Sequence, residues 1–155
     1  MTRATMADGS PPIHGTAVAI DGRGVLLIGP SGAGKSDLAL RLIDAGAALV
    51  GDDALVCSPT DYGRIMVRSI AQPPLNQRMA IGGIGLVRPR HWVDDHQIVL
   101  LSLVIQLVPA LSDPTRPDIG SWGPVGGYYV PQIALVPFEH SAPIKVRLAL
   151  ERWGL

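Results

Sequence analysis

One stretch of eight residues constrains this chain more than any other feature. Residues 29–36 read GPSGAGKS and fit the pattern G-x-x-x-x-G-K-[ST]. The stretch follows the apolar run VLLIG (25–29), which is typical of a buried strand, and it opens KSDLALRLIDAG (35–46), whose apolar residues recur at helical spacing. Because this pattern cradles phosphate when it joins a strand to a helix, we predict a phosphate-binding loop.

Each residue type in the loop has its own physical reason. Gly29, Gly32 and Gly34 allow the backbone to curl so that its N–H groups point inward at phosphate oxygens. The helix that begins near Lys35 adds the partial positive charge of its N-terminus. Lys35 is placed to reach the terminal phosphates, and the hydroxyl of Ser36 is placed to ligate Mg²⁺. We therefore predict that ATP is held by the whole loop, Gly29, Pro30, Ser31, Gly32, Ala33, Gly34, Lys35 and Ser36.

Two adjacent carboxylates, Asp52 and Asp53, follow the next predicted strand, AALV (47–50). A right-handed crossover through the helix makes this strand parallel to the loop strand, so both strands end at the same edge of the sheet. We predict that one of the two carboxylates orients Mg²⁺ or a water on it, as the acidic residue of many ATPases does, and that the other is a base that accepts a proton from a hydroxyl. The alternative is a solvated turn, in which Asp is common.

His14 heads the predicted strand HGTAVAI (14–20), which pairs with the loop strand, so its side chain is a candidate for the same site. A surface or capping role is the alternative for a lone histidine. The other histidines show no metal-ligand spacing with each other or with the cysteine and are assigned nothing: His91, His96 and His140.

The rest of the chain predicts a mixed α/β sheet with few helices. Residues 1–12 are expected to be a flexible N-terminus, and residues 13–155 a single domain. A hairpin is predicted over 53–59 and 64–70, and a long buried strand over 97–108. Residues 71–89, rich in glycine and proline, are predicted to hold a loop with special backbone angles. A second loop is predicted over 109–127, a strand pair over 128–138 and a helix over 141–153, with Ser141 as its N-cap.

Composition excludes several classes of partner. Lys and Arg together number thirteen, as do Asp and Glu, so no bulk field steers the chain to nucleic acid or to an anionic membrane. The longest apolar stretch, residues 98–111, is too short to span a bilayer. The single cysteine, Cys57, excludes a disulfide within the chain and favours a reducing compartment. We predict a cytoplasmic protein that binds neither nucleic acid nor membrane.

On these motifs the chain resembles the catalytic domain of HPr kinase/phosphorylase, in the short form found in alphaproteobacteria. The matching elements are residues 14–53, GGIGL (82–86), VPQIALVPF (130–138) and the terminal helix. The resemblance implies an ATP- and Mg²⁺-dependent kinase that phosphorylates a serine of the phosphocarrier protein HPr of the phosphotransferase system and so regulates carbohydrate metabolism. It also implies a fold like the nucleotide-binding core of phosphoenolpyruvate carboxykinase, a homohexamer, and docking of the carrier partly on the terminal helix.

Carried over by position, the resemblance makes Asp53 the proton acceptor, Lys35 and His14 active-site residues and Ser36 a metal ligand, which leaves Asp52 to help hold the metal. The chain departs from the family signature E-[IV]-R-G-x-G, because Ala80 stands in place of the Glu and Gly82 in place of the Arg. Arg78 lies nearby but out of register, and residues 136–143, which match the loop linked to phosphorolysis, contain no arginine. These departures predict a weakened kinase and count against phosphorylase activity.

Two other functions fit the same motifs. The missing Glu and Arg are also what a regulatory protein would show if it bound nucleotide with little or no catalysis. A kinase for a small-molecule alcohol would use the same loop and the same pair of aspartates.

Overall fold

A computed structural model describes residues 12–155 of the chain. Most of the predicted flexible N-terminus, residues 1–11, lies outside the described part. Eleven strands and two helices follow in the order β1 (Ile13–His14), β2 (Thr16–Ile20), β3 (Arg23–Ile28), α1 (Lys35–Asp44), β4 (Ala48–Gly51), β5 (Ala54–Pro59), β6 (Ile65–Ser69), β7 (Met79–Ile81), β8 (Gly85–Val87), β9 (Val99–Leu107), β10 (Ile119–Val125), β11 (Tyr128–Leu135) and α2 (Ala142–Trp153).

Nine of these strands form one mixed sheet, which confirms the predicted fold class. The central strand β9 runs parallel to β3 on one side. On its other side it pairs antiparallel with β6 near its start and parallel with β11 near its end. The strands β7 and β8 form a separate two-stranded sheet.

The strand β2 lies between β3 and β4 and runs antiparallel to both. The two outer strands therefore run in the same direction, and their carboxyl ends meet at the edge where β2 begins. In the register, Thr16 lies opposite Leu27, and Ala17 lies opposite Gly51. The predicted shared edge is correct, although a third strand separates the two that end there.

Alternate residues along the strands supply two separate cores, one on each face of the sheet. On one face, Leu27 and Leu103 pack with Leu38 of α1 and Val146 of α2. On the opposite face, Leu26 belongs to a cluster with side chains of β5, β6 and β9. Each fully buried leucine contributes about 1.5–3 kcal/mol to folding, so this double burial fixes the strands whose ends carry the site.

The ends of both helices agree with the sequence. Gly46, at φ 111°, has the left-handed conformation that ends α1, and the N–H of Ala47 donates to the carbonyl of Leu42 at 3.0 Å. Ser141 occupies the N-cap position of α2, but its side chain makes no capping hydrogen bond. No helix among the described residues is long and apolar enough to cross a membrane.

Two predictions for the second half of the chain were wrong in detail. The predicted loop 109–127 contains β10, which pairs antiparallel with β11. The predicted strand pair over 128–138 is the single strand β11. Residues 71–89 do hold a loop with special backbone angles, because Gly83 and Gly85 have φ 80° and 110° at the turn from β7 to β8. Glycine and proline lowered the strand signal of residues 119–125, but pairing with a long neighbouring strand outweighs that local preference.

Candidate active site

The loop between β3 and α1 has a backbone that only glycine fits at Gly34. This residue has φ 103°, in the left-handed region, where a side chain is strained. A Cβ atom built there would also lie 2.9 Å from Cζ of Phe138. The carbonyl of Gly34 accepts the first helical bond of α1 from the N–H of Leu38 at 2.9 Å, so the loop passes directly into the helix.

Lys35 is almost buried at this junction, with 8% of its surface exposed. Its Nζ donates to the carbonyl oxygens of Gly29 at 2.8 Å and Pro30 at 3.1 Å. An ammonium group has three donors, so one is left for a ligand in the loop. The loop backbone thus fixes the position of the lysine ammonium group across the loop.

Asp52 accepts three hydrogen bonds. The hydroxyls of Thr16 and Ser36 donate to its Oδ1 at 2.8 Å and 2.9 Å, and the backbone N–H of Ala80 donates to its Oδ2 at 3.2 Å. These donors come from β2, α1 and β7, so three separate elements fix one carboxylate. Because the hydroxyl of Ser36 uses its proton in the hydrogen bond to Asp52, the lone pairs of its oxygen remain available to coordinate a metal.

Asp53 differs from its neighbour in both backbone and surroundings. It has φ 75°, which is uncommon for a residue other than glycine although Asp tolerates it better than most. Its Oδ1 lies 3.3 Å from Nδ1 of His14, and the side chains of the histidine and the aspartate are 58% and 80% exposed. The left-handed turn therefore separates the two carboxylates, one held inward and one facing solvent.

A cavity of about 440 Å³ joins these groups. This volume lies within the range of small-molecule sites. The residues that line it are His14, Thr16, Ser31, Gly32, Gly34, Lys35, Ser36, Asp37, Asp52, Asp53 and Ala80. Of the predicted site residues, Gly29, Pro30 and Ala33 do not line the cavity; the first two face Lys35 through their carbonyls, and Ala33 packs against the helix-side core.

The polar groups of the cavity fit a magnesium nucleotide. In the described part of the chain, no three His, Cys, Asp or Glu side chains are grouped to hold a metal on their own. Mg²⁺ in kinases takes most of its ligands from phosphate and water, with one or two protein oxygens. The hydroxyl of Ser36 and the carboxylate of Asp52 supply such oxygens beside the predicted phosphate-binding loop.

Two functional groups here carried no separate assignment from the sequence. Thr16 is 1% exposed, and its hydroxyl heads an otherwise apolar strand at the edge where the loop lies, which is the signal that could have revealed it. The N–H of Ala80 left no sequence signal, because any residue except proline supplies one. Arg78 does not line the cavity, and its buried Nε has no hydrogen-bond partner.

Comparisons with known proteins point to the HPr serine kinase family. The family described as HPr Serine kinase C-terminal domain matches residues 6–116. An HPr kinase/phosphorylase of Bordetella petrii is 37% identical over 101 residues, 63% of this chain and 32% of the relative. HPr kinase/phosphorylase 1 of Oceanobacillus iheyensis is 41% identical over 75 residues, 48% of this chain and 24% of the relative.

A solved structure extends the likeness over more of the chain. The Hpr(Ser) kinase/phosphatase from Coxiella burnetii superposes with a TM-score of 0.73 at 26% identity, covering 92% of this chain and 95% of that one. By contrast, this chain spans about a third of the length of the first curated relative.

Proposed function

This chain belongs to the HPr serine kinase C-terminal domain family, and from that premise we propose that it transfers the γ-phosphoryl group of ATP to a serine of an HPr-type phosphocarrier protein. One observation carries the proposal. Asp52 is bonded to Ser36 of the phosphate loop, while the next residue, Asp53, is directed with His14 toward the same cavity. Hydroxyl phosphorylation needs one group that helps to hold the metal and another that accepts the hydroxyl proton, and these two carboxylates can supply both.

The inner part of the cavity would hold the nucleotide. The amides of the loop and the remaining donor of Lys35 would bind the β- and γ-phosphates. Ser36 would ligate Mg²⁺, with Asp52 orienting that hydroxyl and the water around the ion. When bound, Mg²⁺ neutralises charge on the phosphate oxygens.

The outer part would activate the acceptor. As the serine oxygen of the carrier forms its bond to the γ-phosphorus, the bond from that phosphorus to the β,γ-bridging oxygen breaks and ADP leaves. Asp53 would take the serine proton, and Lys35 would offset the charge that develops on ADP. His14, at 3.3 Å from Oδ1, would hold Asp53 in the orientation that accepts the proton.

Transfer of label from γ-labelled ATP to purified HPr tests the assignment of the base. We expect Asp53→Asn to lower kcat by about 10²–10⁴-fold while the affinity for Mg²⁺-ATP is retained, since the amide cannot take a proton. Asp61→Asn, in the exposed turn between β5 and β6, is the matched control and should transfer normally. An unchanged rate of label transfer in Asp53→Asn would contradict the assignment of Asp53 as the base.

A regulatory protein that binds nucleotide with little catalysis is the second candidate. The methyl group of Ala80 lines the cavity where the family has a carboxylate, and Gly82 carries no side chain where the family has a guanidinium. Calorimetry would then detect ATP binding with little dependence on Mg²⁺, and no label would reach HPr. Robust Mg²⁺-dependent turnover excludes this candidate.

The same departures bear on the reverse reaction. We infer weak phosphorolysis, because phosphate would lack the bidentate clamp of the missing Arg.

Hexameric assembly, which the family resemblance implies, is also part of the proposal. Analytical ultracentrifugation of the purified chain tests it, and a monomer at micromolar concentration would contradict it.

A further inference from the structure

The only phenylalanine of the chain stands exposed at the rim of the phosphate loop. Phe138 is 67% exposed. The edge of its ring lies against Gly34, since a Cβ atom built there would come within 3.0 Å of both Cζ and Cε1. Single exposed apolar residues are ordinary, but this ring touches the residue that precedes Lys35, and most of its surface is free for another contact.

The segment that carries the ring is fixed to both helices. Arg41 of α1 donates to the carbonyl oxygens of Pro137 and Glu139, and its guanidinium pairs with Asp37 at 2.9 Å. Lys145 of α2 pairs with the carboxylate of Glu139 at 2.7 Å. The ring is therefore presented by a braced backbone beside the loop, which reduces the entropy lost when a ligand packs against it.

A second cavity opens beside the ring. It has a volume of about 270 Å³ and is lined by Asp37, Arg41, Phe138 and His140. It adjoins the phosphate cavity, because Asp37 lines both of them. Asp37 follows Ser36 directly, so the second cavity lies beyond the Ser36 end of the loop.

We propose that this second cavity is the nucleobase subsite and that Phe138 stacks on the base of the nucleotide whose phosphates lie in the loop. The inference rests on the proposed function, since it needs a nucleoside triphosphate in the loop. An aromatic ring can stack on the π-face of any nucleobase, largely independently of which base it is. Phe138 would thus contribute to affinity for the nucleoside and not for the phosphates.

Calorimetry with two ligands separates those contributions. Mg²⁺-ATP and Mg²⁺-tripolyphosphate share the phosphate chain, but only ATP carries a base. We expect Phe138→Ala to weaken ATP binding by about tenfold and to leave tripolyphosphate binding within about twofold of the unaltered protein. Phe138→Trp, which keeps an aromatic face, should retain ATP affinity. Tyr62→Ala, which removes an equally exposed ring at the turn between β5 and β6, should change neither affinity.

Three outcomes count against the inference, and they are distinguishable. If Phe138→Ala lowers the affinities for ATP and for tripolyphosphate equally, the ring supports the loop and does not contact a base. Unchanged affinities together with slower transfer to HPr would place the ring on the acceptor surface. If the unaltered protein binds neither ligand, the proposed function fails, and this inference fails with it.

Discussion

Two regions of unlike character meet between the neighbouring residues Asp52 and Asp53. The inner region consists of Thr16, Lys35, Ser36 and Asp52, and its polar atoms bond to one another, to the loop backbone or to the N–H of Ala80. The outer region consists of His14, Asp53 and residues 80–86 of the β7–β8 hairpin, most of which are exposed to solvent. Thr16 and Lys35 are 1% and 8% exposed, whereas the side chain of Asp53 is 80% exposed.

The difference suggests a division between two ligands. A polyphosphate presents the same oxygens at every turnover, so a prearranged set of donors loses little free energy on binding it. A protein acceptor has to approach and leave, and an open rim allows this. Because buried polar groups destabilise a fold when they lose a partner, changes in the inner region should affect both stability and activity. Changes in the outer region should affect activity alone.

Removal of the lysine charge is the largest expected perturbation of the inner region. We expect Lys35→Met to lower phosphoryl transfer by about 10²–10³-fold, since the phosphates lose their charged donor. Calorimetry should also detect little binding of Mg²⁺-ATP. Arg90→Met, at an exposed position, is the control for loss of one positive charge and should behave like the unaltered protein. Near-normal binding by Lys35→Met would contradict the role of the inner region.

Removal of the Thr16 hydroxyl tests whether stability and the Mg²⁺ requirement change together, as the comparison of the two regions predicts. Thr16→Val keeps the shape but removes a donor to Asp52, so we expect unfolding in urea to become easier by about 1–2 kcal/mol. We also expect the Mg²⁺ concentration for half-maximal transfer to rise by about tenfold, because the carboxylate is less well oriented. Thr16→Ser should restore both values. A loss of stability with an unchanged Mg²⁺ requirement would make Thr16 structural only.

The position of Ala80 tests the boundary between the regions. Its N–H belongs to the inner region through Asp52, but its exposed side chain faces the cavity. We expect Ala80→Glu to lower the Mg²⁺ concentration for half-maximal transfer by about three- to tenfold, since it adds a carboxylate beside Asp52. Stability should change by less than about 0.5 kcal/mol, as for other surface changes.

Ala80→Gln, which has nearly the same shape without the charge, is the control for that substitution. If the glutamine variant lowers the Mg²⁺ requirement equally, charge is not the cause. If neither variant lowers it, Ala80 does not face the metal position.

The sequence predicted the elements that carry the site better than the contacts between them, for physical reasons. The loop, α1 and the strand before Asp52 depend on local patterns of glycine, apolar spacing and helix ends, which are legible in single segments. The bond from Thr16 to Asp52 joins residues 36 positions apart, and β10 exists because β11 pairs with it. Such contacts are set by tertiary packing and leave only weak local signals. The turn at Asp53, φ 75°, likewise depends on its surroundings.

Cys57 gives the smallest expected effect, and it reports on the strand that supports the outer region. It lies in β5, which begins directly after Asp53, and burial raises the pKa of its thiol to about 12. Since only the thiolate reacts, we expect negligible alkylation of the native protein by iodoacetamide at pH 8 and full alkylation in urea. Mass spectrometry measures the extent of alkylation in both cases. Rapid native alkylation would show that β5 opens and that the outer region is mobile in its backbone as well as exposed in its side chains.

The same thiol predicts the direction of a pH effect. Burial raises its pKa from the ordinary value of 9.0 to about 12, so the folded chain holds this proton more tightly than the unfolded chain does. The contribution to stability is complete below pH 9 and is lost as pH rises toward 12. The urea midpoint should therefore fall between about pH 9 and pH 12 more steeply than that of Cys57→Ala, which lacks the proton. Equal slopes would mean that β5 admits water at Cys57, and the outer region would then be open in its supporting strand as well as at its rim.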